Sequence, residues 1–115
     1  MNAEKFTQKT VETINTARAM AQENQNQYIT PEHLLYALID QDGGLIPSLL
    51  QKMGVNADSV LSELDTLIRQ LPKVSGQSVE IYASNETSRL LTFAETVAKK
   101  MGDEYISVEH LMLGM

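Results

Sequence analysis

The chain has 115 residues, 43% of them hydrophobic, which is enough for one domain with a real core and argues against disorder. Nine basic against fifteen acidic residues give a formal net charge of −6, which excludes the basic footprint that nucleic acid or an anionic membrane surface requires. There is no cysteine, hence neither a disulfide framework nor a thiolate metal site. The longest apolar run, Leu34 to Ile39, falls far short of the ~20 residues of a membrane span. The first ten residues lack the apolar core of a signal peptide, so the cytoplasm is the expected compartment.

Every strong segment has helical period. A first helix is expected from about Ala3 to Asn24, with Phe6, Val11, Ile14, Ala17, Met20 and Ala21 as its buried stripe. Thr30 is a natural N-cap with Pro31 at the first helical position and Glu32 in the first turn, where the helix dipole favours an acid. This second helix carries Leu34, Leu35, Leu38 and Ile39 and stops at Gly43-Gly44. Pro47 can open a short third helix with Leu49, Leu50 and Met53, closed by Gly54. Asn56 or Asp58 caps a fourth, whose stripe is Val60, Leu61, Leu64, Leu67, Ile68 and Leu71, and Pro72 ends it. Lys73 to Ala83 reads as an extended connection. Val79 to Tyr82 alternates like a strand, but a lone strand has nothing to pair with. Ser84 caps a fifth helix that Gly102 ends, and Ser107 caps a sixth.

The last two helices repeat the first two. Tyr28-Ile29-Thr30-Pro31-Glu32-His33-Leu34 returns 77 residues later as Tyr105-Ile106-Ser107-Val108-Glu109-His110-Leu111. Thr10, Ala17 and Ala21 recur as Thr87, Ala94 and Ala98, which makes eight identities in 29 aligned pairs. One supersecondary unit is used twice. The expected fold is therefore all-α, with repeat one at 1–76 and an incomplete repeat two at 77–115. The offset places counterparts of the third and fourth helices at about 122–148, so the chain is expected to be cut within the second unit. Apolar surface exposed in this way is expected to be hidden by dimerisation or exchange of elements.

The paired Glu-His invites a catalytic or metal reading. Neighbours on a helix point about 100° apart, so the two cannot face one substrate atom, and each histidine lacks the i, i+4 partner of a zinc helix. A capping role is the better reading, and no metal site is expected. No phosphate loop, dinucleotide fingerprint or nucleophile elbow is present, and Asp40 and Asp42 lack the further ligands of a calcium loop. Phe93 stands out because its repeat partner is the polar Thr16. With Val97 four residues on, it widens one edge of the fifth helix. That edge is either core or the apolar wall of a groove between the units, rimmed by Asp103 and Glu109.

The duplicated Tyr-Ile-[Thr/Ser]-x-Glu-His-Leu, the stretch Gln41-Asp42-Gly43-Gly44, the segment Leu71-Pro72-Lys73-Val74-Ser75-Gly76 and Gly102-Asp103 together resemble the N-terminal domain of Clp ATPases. The resemblance covers the whole chain, and its Leu-Pro-x-Val-x-Gly segment is more similar to ClpB, the disaggregase branch, than to ClpA or ClpC. It implies an all-helical domain of two pseudo-twofold repeats of four helices, tethered to AAA+ motors that form a hexamer. It further implies that this domain is not itself an enzyme and holds no cofactor, ATP and magnesium belonging to the motors. Unfolded or aggregated polypeptide would be its ligand, with a cooperating chaperone system reached through other domains, and neither nucleic acid nor membrane as partner. The groove implied uses Thr7, Asp103 and Glu109 as polar contacts and Phe93, Val97 and His110 as its apolar part. Glu32 is a second acidic contact. In the ClpC branch the acids at Glu32 and Glu109 receive phosphorylated arginine. Pro31 and Val108 replace the small residues usual before those acids, so that activity is not carried over. The alternative is a ClpC- or ClpA-type domain that docks adaptors or marked substrates for a protease.

Overall fold

A computed structural model describes residues 5–41, 43–74 and 80–115. Six helices carry the architecture: α1 Gln8–Glu23, α2 Pro31–Asp40, α3 Leu45–Lys52, α4 Ala57–Arg69, α5 Asn85–Lys100 and α6 Val108–Leu113. Two short strands, β1 Tyr28–Ile29 and β2 Tyr82–Ala83, join in parallel. The expected all-α class holds.

The capping residues act as their chemistry dictates. The side chains of Thr7, Asn56 and Ser84 each accept from the backbone N–H three residues on, satisfying a donor that the first helical turn leaves orphaned. At Thr30 and Ser107 the cap is closed in both directions, because the N3 histidine takes the part a glutamate usually plays in a capping box. Gly54 and Gly102 sit at φ +74° and +75° just past the ends of α3 and α5. Gln25, the repeat counterpart of Gly102, holds φ +59° after α1 without a glycine's freedom.

Three expectations are corrected. The first helix begins at Gln8 and not near Ala3, because Phe6 forms a parallel bridge with Ile106, whose N–H donates to the Lys5 carbonyl and whose carbonyl accepts from the Thr7 N–H. Its buried face is Thr10, Thr13, Ala17 and Ala21, while Val11, Ile14 and Met20 are only half-buried. Helix α3 begins at Leu45 with Gly44 as its cap, so Pro47 lies at the third position of the first turn, where its missing N–H costs nothing. Finally, the stretch before α5 is not an unpaired loop: Tyr82–Ala83 finds its partner in β1 of the first repeat. The proposed repeat boundary at residues 76 and 77, and Val79, lie outside the described residues.

The pairing is reciprocal. Ala83 lies against Ile29, and Phe6 lies against Ile106, each pair being the other shifted by 77 residues. The Thr10 hydroxyl donates to the Ile106 carbonyl (2.9 Å) and the Thr87 hydroxyl to the Ile29 carbonyl (2.7 Å). Backbone N–H groups of Thr7 and Ser84 donate to the same two carbonyls, both at 3.0 Å. Each repeat thus lends its leading strand to the other, the isologous exchange that a twofold relation requires. Around it closes one core from Ala17, Ala21, Leu34, Leu38, Leu64, Leu90, Ala94, Ile106 and Leu111.

Candidate binding site

The repeated histidines build two corners of different charge. The Thr30 N–H donates to His33 Nδ1 (2.9 Å), and the Ser107 N–H donates to His110 Nδ1 (2.8 Å). With Nδ1 accepting, the proton lies on Nε2, which donates to Asn26 Oδ1 (3.0 Å) in repeat one and to Asp103 Oδ2 (2.9 Å) in repeat two. Asn26 is buried and must also donate to the Pro72 carbonyl (3.2 Å), which only an amide can do. Asp103 is exposed, so a carboxylate is tolerated there. Burial pushes His33 below its ordinary value, and the neighbouring Glu32 partly opposes this.

Ser107, His110 and Asp103 have the residue types of a hydrolytic triad, with Ser107 Oγ 3.0 Å from His110 Nδ1. The Nδ1 lone pair, however, already accepts from the backbone, and the ring is 3% exposed. It cannot serve as a general base for the hydroxyl, and the arrangement is a cap. Among the described residues no three His, Asp or Glu side chains converge to hold a metal ion.

An apolar cleft of about 660 Å³ lies between the start of α2, the middle of α4, the first half of α5 and residues 114–115. Its walls are Pro31, Leu35, Leu64, Leu67, Leu90, Phe93 and Met115, with Glu32, Glu86 and Arg89 as its charged lining. The Phe93 ring is half-exposed and lies over Gly114, where a Cβ would stand 3.3 Å from Phe93 Cδ1. The corresponding crevice in repeat one is lined mainly by polar and charged residues: Lys9, Glu12, Thr16 and Ala37 stand where repeat two has Glu86, Arg89, Phe93 and Gly114. The exchange of threonine for phenylalanine is matched by that of alanine for glycine, which makes room for the ring.

Of the residues expected to form one groove, Phe93 and Glu32 line this cleft. Thr7, Asp103, Glu109 and His110 are placed around the start of α6. Thr7 caps α1 and donates its N–H to Ile106; Asp103 holds His110; Glu109 is exposed and accepts from Ser107 Oγ (3.2 Å). Val97 is half-buried one turn beyond Phe93. His110 was expected in the apolar wall; its buried ring, engaged at both nitrogens, offers a ligand no surface and acts on the corner through Asp103. Leu67, expected in the core stripe of α4, is half-exposed in the cleft. No local signal marks the cleft contributions of Leu35, Leu64 and Leu67, because two helices far apart in sequence, α2 and α4, bring them together.

Fold and cleft together define a duplicated all-helical repeat domain with an apolar recess where α5 of the second copy meets α2 and α4 of the first. The family model described as the Clp repeat (R) N-terminal domain matches residues 5–115, and the chain belongs to this family. The chaperone protein ClpB of Clostridium perfringens is 39% identical over 118 residues, an alignment that takes in 100% of this chain and 14% of that protein. That of Leptolyngbya boryana is 42% identical over 113 residues, covering 98% of this chain and 13% of the relative. The chain thus spans about one-seventh of the length of these relatives. The Hsp104 N-terminal domain from Candida albicans superposes with a TM-score of 0.87 at 22% identity, over 96% of this chain and 72% of that one, a likeness of fold.

Proposed function

We propose that this chain is the substrate-recognition N-terminal domain of a ClpB-type ATP-dependent chaperone. It holds apolar segments of unfolded or aggregated polypeptide and hands them to an AAA+ ring. The observation that carries the reading is the apolar cleft where α5 meets α2 and α4, set against the crevice lined by polar side chains at the corresponding face of α1. Unfolded chains expose apolar side chains, and an open apolar recess takes them without sequence demands. Binding at one such recess is weak, which suits a domain whose tether to a hexameric motor supplies effective concentration. The relatives' identity as ClpB supports this branch over the ClpC or ClpA alternative.

In this reading Phe93 and Val97 contact the apolar segment, and Asp103, Glu109 and Glu32 favour basic residues flanking it. Thr7 and His110 position the corner from which the acids project. The domain performs no chemistry and needs no cofactor; ATP and magnesium serve the motor, in the cytoplasm.

Phe93→Ala should weaken binding of a permanently unfolded model protein about three- to tenfold, the worth of ~1 kcal/mol of lost contact, with far-ultraviolet circular dichroism unchanged. Val97→Ala should act in the same direction. Chemical-shift mapping with the same substrate should light up α5, α6 and the start of α2. Shifts confined to α1 and α3 would overturn the assignment.

A further inference from the structure

We draw no further inference here: the strongest candidate, the exposed register partners Tyr28 and Tyr82 on the β1–β2 ladder beside a small apolar pocket of Leu71, Pro72 and Val74, carries nothing, because no feature of the structure shows what covers it.

Discussion

Asn26 and Asp103 occupy the same place in the two repeats and receive the same Nε2–H, yet one is a neutral amide and the other a carboxylate. Their difference follows from what else each must do. The amide ties the buried end of the first repeat to Pro72, whereas the carboxylate faces water. His33 is consequently a lock that works only when neutral. Its folded-state value is lowered, first by burial, so the unfolded chain takes up the proton more readily. The stability it contributes is complete above the unfolded value of about 6.5 and is lost as pH falls through the folded value. The urea midpoint should therefore drop between pH 7.5 and pH 5.5. The decline should flatten in His33→Gln, which keeps a hydrogen-bonding side chain but does not titrate. An equally steep decline in that variant would assign the effect to other groups.

At the scale of elements, the helix termini carry most of what distinguishes the copies. Helices α1 and α5 are both 16 residues long, begin at a hydroxyl cap and end in a left-handed turn, but the turn residue is Gln25 in one and Gly102 in the other. A side chain at positive φ costs roughly 1–2 kcal/mol, part of which a glycine's greater freedom in the unfolded chain returns. Gln25→Gly should accordingly raise stability by about 0.5–1 kcal/mol, read as a higher urea midpoint at unchanged slope. The backbone bond from Val74 to the Gln25 carbonyl (2.8 Å) survives the change. Much at this scale was legible beforehand. Thr30, Asn56, Ser84 and Ser107 cap where short polar side chains before apolar runs should cap. The buried threonines were not: Thr10, Thr13 and Thr87 count as polar in any periodicity; Thr13 bonds back to the Lys9 carbonyl one turn earlier, and the hydroxyls of Thr10 and Thr87 find their partners in the other repeat only once the chain has folded. The identity of Thr10 with Thr87 across the repeat was the one available signal.

For the molecule as a whole, the exchange of leading strands has a thermodynamic consequence. Neither repeat contains the partner of its own extended segment, so the hydrogen bonds to the Ile29 and Ile106 carbonyls form only when both are present. Unfolding should be a single cooperative transition. A peptide of residues 1–74 should show weak helicity without a cooperative melt and should recover it on mixing with residues 75–115. Cooperative melting of the first peptide alone would show that the exchange is dispensable.

What the amino-acid order determined by itself is local and periodic: six helices, their caps, the 77-residue repeat and the all-helical class. These rest on backbone hydrogen bonds within a few residues and on the 3.6-residue spacing of apolar side chains, both readable along a line. Tertiary structure decided where the site lies. The cleft under Phe93 exists because α2, α4 and α5 converge, and because Gly114 leaves room for a ring that Ala37 would crowd in the other copy. The strand before α5 became a strand only through a partner more than fifty residues away. Contacts between residues so far apart in sequence leave no local period, and the fold has to bring them together before they exist.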